Sequence, residues 1–229
     1  MIIWLSSYPK SGNTWLRALI STYFFSKDGI FNQSLLKNID QFPTSNYFEE
    51  FNHDKTIPGD TCKYWIKAQE KINSTAKVKF FKTHNVFGKV NNFDFTNSQN
   101  SLGCIYVVRD PRNVITSISN HFSKNIDQSF EFMINKNKML TVEEWGSSNI
   151  GLSFVLGSWS DHYNSWKNIN FAPIMIVKYE SLIEDTQNTF LKIITFLNSL
   201  IGTQINKKKI SIIEKNYNFE KLVMLEKEE

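Results

Sequence analysis

Residues 2–17 read IIWLSSYPKSGNTWLR. An apolar run, Ile2-Ile3-Trp4-Leu5, meets a cluster of Tyr8, Pro9, Lys10, Ser11, Gly12, Asn13 and Thr14. Beyond it, Trp15, Leu16, Leu19, Ile20, Tyr23 and Phe24 recur on one helix face. The stretch therefore reads as strand, tight loop, helix. Small residues at Ser11 and Gly12 let the main chain come close to a ligand. Amides of residues 11–14 at a helix N-terminus form an anion cradle suited to phosphate, and Lys10 adds a full charge. The plainer reading is an ordinary strand-to-helix turn with a solvated lysine. The nucleotide-triphosphatase loop, G-x-x-x-x-G-K-[ST], places its lysine after the second glycine. Here Lys10 precedes Ser11 and Gly12, and the first glycine is missing.

Further apolar runs cover residues 78–81, 104–108 and 174–177. Their length, β-branched content and weak alternation predict strands buried on both faces. Helical patterns separate them. Pro111 suits the first turn of a helix carrying Val114, Ile115 and Ile118 along one side. Another helix is expected from Ser181 to Leu200, stopped near Gly202. Residues 32–61 read as loops and short helices, and residues 123–149 as similarly irregular. The expected architecture is α/β: a single domain over residues 1–229, with a central, mostly parallel sheet flanked by helices.

Every apolar run hands over to a polar cluster at its carboxyl end. After the loop at residues 8–14 come Lys82-Thr83-His84, then Arg109-Asp110-Pro111-Arg112-Asn113, then Lys178-Tyr179-Glu180. The ligand crevice of an open α/β sheet lies outside those ends. The clusters are therefore expected to converge in space.

Composition narrows the classes. The 229 residues are 41% hydrophobic and carry a net charge of +4, enough for one sizeable core. That charge is too small to imply nucleic acid and is compatible with a small polyanion. The two cysteines, Cys62 and Cys104, suggest neither a disulfide framework nor a zinc site, and imply a reducing compartment. The N-terminus lacks the features of a signal peptide. The stretch from Trp15 to Phe25 contains Arg17 and is too short to span a bilayer. A soluble, cytoplasmic protein is expected.

Taken together, residues 8–15, Lys82-Thr83-His84 and Arg109-Asp110-Pro111-Arg112-Asn113-Val114 with Ser117 resemble the sulfotransferases that use 3′-phosphoadenosine 5′-phosphosulfate (PAPS). Gly157-Ser158-Trp159-Ser160-Asp161-His162-Tyr163 and Val177-Lys178-Tyr179-Glu180-Ser181-Leu182 extend the likeness. The resemblance implies a P-loop nucleoside triphosphate hydrolase-like fold related to nucleotide kinases, with PAPS as co-substrate and no metal. It assigns Lys10 to the leaving oxygen of the phosphosulfate, and Ser11, Gly12, Asn13 and Thr14 to the 5′-phosphate. It sets Trp15 against the adenine, with Tyr179 at the adenine edge and Phe219 as a second aromatic wall. Lys82 would stabilise the sulfuryl group in transfer, and His84 would act as general base. Arg109 and Ser117 would hold the 3′-phosphate.

Plainer roles stand beside these. Trp15 also suits the core, Arg109-Asp110 a local ion pair, and Ser117 a helix surface. His121 reads as a loop or helix-end residue and His162 as a helix residue. The family's basic loop, of the type R-K-G-x-x-G-D-W, does not occur in these residues, so its 3′-phosphate contacts are expected to be missing. A kinase of related fold and a non-catalytic PAPS-binding protein remain as alternatives. The acceptor is expected to be a small molecule, lipid or carbohydrate meeting residues 30–60 and 123–155. Phe31, Phe42, Tyr47, Phe48 and Phe51 suit either an acceptor pocket or core.

Overall fold

The first apolar run forms β1 (Ile2–Ser7), every residue of which is buried. Around it, a computed structural model describes residues 1–140 and 152–216. The other strands of the main sheet are β2 (Asp40–Gln41), β3 (Lys79–Thr83), β4 (Ser101–Val108) and β5 (Ile174–Lys178). Their order is β2-β3-β1-β4-β5, and all the pairings are parallel.

Alternation along β1 explains its unbroken hydrophobicity. Ile3 and Leu5 join a cluster with Trp15, Leu16 and Leu19 of helix α1 (Asn13–Phe25). Ile2 and Trp4 face the other way, into a cluster with Phe42, Trp65, Phe95 and Trp166. Both faces of the sheet are covered, as a parallel sheet requires. Strand β5 departs from the expectation of full burial: Ile174, Met175 and Ile176 are only half-buried, because β5 is the sheet edge and pairs with β4 alone.

On the second face lie α2 (Trp65–Asn73) and α5 (Trp159–Lys167), which contribute Trp65 and Trp166 to its cluster. Phe42 and Phe48 are fully buried in the same cluster, with Tyr47 and Phe51 packed against it. Much of the aromatic segment before residue 60 is thus core. Cys104 also lies there, and burial pushes its thiol pKa up.

Helix α3 (Pro111–His121) begins as the sequence predicts: Pro111 opens it, and the Asp110 carboxylate accepts a hydrogen bond from the Arg112 amide at 2.9 Å. The expected helix over residues 181–200 is instead broken. Helix α6 (Tyr179–Glu184) stops at Asp185, whose side chain accepts from the Asn188 amide and caps α7 (Thr186–Ile201). A short carboxylate that bonds its own backbone competes with continuing the helix. Gly202 then ends α7 with φ 75°, a left-handed value that glycine adopts without strain. Helix α8 (Lys207–Asn216) returns Ile210 and Ile213 to the first cluster.

Residues 123–149 were expected to be irregular, yet they contain helix α4 (Ile126–Ile134). Its signal is a capping box. Asn125 accepts from the Gln128 amide, and the Gln128 side chain accepts from the Asn125 amide. Among the described residues no helix is long and apolar enough to cross a membrane.

Asn125→Ala should cost about 1 kcal/mol of stability by removing that cap. Urea unfolding monitored by circular dichroism measures it. An unchanged midpoint would mean that α4 does not depend on its cap.

Candidate functional site

Strand register brings the polar clusters together. Ser6 pairs with Thr83, Ser7 with Val107, and Val108 with Lys178. The next residues, His84, Arg109 and Tyr179, therefore emerge at one edge of the sheet beside the loop that follows Ser7. That edge is where the chain leaves β1 toward one side and later crosses it to reach β4 on the other, the usual place for a ligand in an open α/β sheet.

The loop at residues 8–12 is bent sharply. Lys10 has φ 63° and Gly12 φ 90°. Gly12 is required twice. Its φ lies in the left-handed region, and a Cβ there would meet Tyr179 Cδ2 at 2.2 Å. The Tyr179 ring lies against the loop, with Trp15 meeting it edge-on at 5.9 Å. The Arg109 guanidinium sits 4.4 Å from the Tyr179 ring centroid and donates from Nη1 to the Lys10 carbonyl at 2.9 Å. Arg109 and Tyr179 thus brace the loop from one side, with Trp15 packed behind Tyr179. The alternative pairing of Arg109 with Asp110 is not the one formed: Asp110 pairs with Arg112, whose Nε donates to Oδ1 at 3.0 Å.

Asn13 braces the loop from beneath. Its side-chain Nδ2 donates to the Leu5 carbonyl at 3.0 Å and to Ser7 Oγ at 3.2 Å. The side chain is turned inward, so only the main chain of Asn13 faces the loop. Ser11 is 1% exposed, and its hydroxyl has no hydrogen-bond partner among the described residues. The buried Nε of Arg109 likewise has none. A buried polar group left unpaired is costly. Two such groups at one loop, beside helix-terminal amides and Lys10, suit an anionic ligand.

On the other side of β1, His84 Nδ1 lies 2.7 Å from the Ser7 carbonyl. A carbonyl only accepts, so Nδ1 carries the proton and Nε2 the lone pair. Burial, and then the Lys82 charge, hold the His84 pKa well below the ordinary imidazole value. Lys82 itself is buried. The His84 ring faces Phe154 at 6.5 Å between centroids.

Thr14 and Trp15 are buried in the first turn of α1, and Trp15 belongs to the first apolar cluster. Ser117 is half-buried in the second turn of α3, and no hydrogen bond among the described residues ties it to Arg109. Phe219 lies outside the described residues. A cavity of about 650 Å³ opens at the ends of β4 and β5, lined by Arg109, Arg112, Trp159, Lys178, Glu180 and Glu184 among others. It includes Arg109 but neither Lys10 nor His84.

His162 was read only as a helix residue. It does lie in α5, but fully buried beneath the site, with Nε2 3.0 Å from the His84 carbonyl. The two residues are 78 positions apart, so no local pattern announces the contact.

Parallel sheet order, with helix α1 following β1 through a tight loop, defines an α/β protein of the P-loop-like class. The chain belongs to the sulfotransferase domain family, whose model matches residues 2–227. It is similar to sulfotransferase 2A1 of Homo sapiens, 24% identical over 223 residues that cover 94% of this chain and 64% of that protein. It is also similar to a 3-alpha-hydroxysteroid sulfotransferase of Cavia porcellus, 23% identical and covering 93% of this chain and 63% of the relative. The chain thus spans somewhat less than two thirds of these relatives' length. Among solved structures, retinol dehydratase in complex with androsterone and the inactive cofactor PAP has the same fold, with a TM-score of 0.55 at 17% identity. That likeness covers 96% of this chain and 65% of the other.

Burial disfavours the imidazolium form of both histidines. Free imidazole titrates near 6.5, whereas His162 is pushed down to about 4. Below pH 6.5 the unfolded chain therefore binds protons that the folded chain refuses. Stability is full above about pH 6.5 and falls as the pH drops. His162 alone should cost about 2 kcal/mol by pH 5. Thermal scans from pH 7 to 5 should show a falling midpoint, with a shallower slope for His162→Gln. A flat wild-type profile contradicts the burial argument.

Proposed function

We propose that the protein transfers a sulfuryl group from PAPS to an acceptor hydroxyl or amine. The observation that carries this reading is the convergence at one sheet edge of the residue 8–12 loop, held by Arg109, and of His84, held by the Ser7 carbonyl from which that loop departs. The unpaired Ser11 hydroxyl of that loop and the unpaired Nε of Arg109 beside it support the reading further.

In this reading the amides of Ser11 to Thr14 and the Ser11 hydroxyl hold the 5′-phosphate. Lys10 neutralises charge on the leaving phosphate oxygen. Lys82 steadies the sulfuryl group as it moves between oxygens. His84 Nε2 takes the proton of the acceptor as the acceptor atom bonds to sulfur. The bond from sulfur to the phosphate oxygen breaks, leaving adenosine 3′,5′-bisphosphate. Such a reaction asks chiefly for positioning and charge stabilisation, as phosphoryl transfer does. Arg109, with Ser117, would meet the 3′-phosphate. Tyr179 then acts on the nucleotide mainly by holding the loop and Arg109 in place, and Trp15 by packing beneath them.

The apolar surroundings of His84 favour an acceptor with an apolar body. Phe154 faces the imidazole and belongs to a cluster with Tyr8, Phe132 and Leu156. We place the acceptor among small molecules, with a hydroxyl or amine brought to His84. A kinase would need the lysine beyond the second glycine of its loop, which this chain does not have.

Calorimetry should detect binding of adenosine 3′,5′-bisphosphate. Lys10→Ala should weaken it about 10- to 100-fold, the worth of one charge-assisted contact. No binding by the intact protein would remove the assignment.

His84→Ala should retain that binding yet lower sulfate transfer by ~10²–10⁴. A screen of phenols, hydroxysteroids and amines with labelled PAPS supplies the assay. Binding without transfer to any acceptor would favour the non-catalytic alternative.

A further inference from the structure

His162 is a fully buried titratable group that takes no part in the transfer itself. Its Nε2 faces the His84 carbonyl, which only accepts, so Nε2 holds the proton. Nδ1 must then accept from the Tyr106 hydroxyl at 2.8 Å. Both nitrogens are committed, and the Tyr8 ring closes over the imidazole edge-on at 5.4 Å.

The same helix grips the residues that follow. Trp166 Nε1 donates to the Asn85 carbonyl at 2.8 Å, and Ser165 Oγ accepts from the Phe87 amide at 3.1 Å. The Asn85 side chain in turn accepts from the Val155 amide at 2.7 Å. Segment 84–87 is thus held along its length by α5, while β1 holds the His84 ring through the Ser7 carbonyl. The main chain of His84 is fixed from one side and its ring from the other.

We propose that His162 is a positioning residue for the base: its hydrogen bond to the His84 carbonyl, in the tautomer that the Tyr106 hydroxyl supports by donating to Nδ1, aims the lone pair of His84 Nε2. This rests on the reading of His84 as general base. His162 relays no proton, because its contact is with a carbonyl and not with the His84 ring. A hydrogen-bonded core histidine that serves only stability would show the same contacts, so the test must read aim as well as folding. Misplacing a reacting group by about 1 Å can cost about 100-fold in rate.

The experiment compares wild type, His162→Leu, His162→Gln and Tyr106→Phe in the full chain, with ¹⁵N-labelled histidine. Long-range proton–nitrogen spectra report the His84 tautomer and its titration. Lys82, Arg17 and His162 are the charged or titratable groups acting on that titration. Wild type should show one His84 tautomer, protonated at Nδ1. His162→Leu should give a tautomer mixture and a titration moved toward 6.5, the ordinary imidazole value. Affinity for adenosine 3′,5′-bisphosphate should stay within about twofold, because the residue 8–12 loop is untouched. With PAPS and 4-nitrophenol as probe acceptor, turnover should fall about 10- to 100-fold. Glutamine, which keeps a donor and an acceptor, should restore most of both signals. Tyr106→Phe should lie between, and it keeps the question open to measurement if the leucine variant does not fold.

The proposal is overturned if His84 keeps its tautomer and titration in His162→Leu and Tyr106→Phe. It is also overturned if His162→Gln loses as much as His162→Leu in step with its melting temperature. Failure of the base assignment looks different. His84→Ala would then turn over normally, whatever the nitrogen spectra say about aim.

Discussion

The structure depends on the absence of a side chain at Gly12. Because no Cβ stands there, the Tyr179 ring can lie on the loop, and Arg109 can stack on Tyr179 and donate to the Lys10 carbonyl. Those contacts join the ends of β4 and β5 to the loop after β1. They hold Lys10 at φ 63°, a left-handed conformation that a lysine in an isolated peptide would rarely keep. The strain is local, and the surrounding sheet over-determines it. A loop so held keeps the amides at the start of α1 in a fixed arrangement, and preorganisation of that kind is how a binding or catalytic site gains from rigidity.

Two buried layers meet at this edge and have different work. Apolar packing on both faces of β1 fixes where the strands end. Polar contacts then fix what stands at those ends: Asn13 ties the start of α1 to Leu5 and Ser7, and the Ser7 carbonyl ties the ring of His84. Each of these hydrogen bonds is worth only about 1 kcal/mol. Their weight lies in geometry, since together they relate the loop, His84 and Arg109 within one sheet.

Much of this was legible in the sequence. Short apolar runs bounded by Pro, Gly and charged residues mark β1, β3, β4 and β5, and Pro111 marks α3. Lys10, His84 and Arg109 stand at strand ends, where sheet topology alone brings them together. What was not legible depends on competition or on distance. Asp185 splits α6 from α7 by capping, inside a stretch whose apolar spacing reads as continuous. Helix α4 hides in polar sequence and shows itself only through the Asn125–Gln128 box. The resemblance assigns Trp15 and Tyr179 to the adenine, but they also pack on each other, and Tyr179 lies on Gly12, a tertiary fact. The bond from His162 to His84 joins residues 78 positions apart and has no local signature.

The central proposal is that the residue 8–12 loop and Arg109 form one anion site, with His84 at the same sheet edge. A nitrogen NMR titration with adenosine 3′,5′-bisphosphate tests it most directly. The amides of Ser11, Gly12, Asn13 and Thr14 should shift together with the Arg109 Nε–H, along one saturating curve. Shifts confined to another face, or an Arg109 signal that ignores the ligand while the loop responds, would contradict the account.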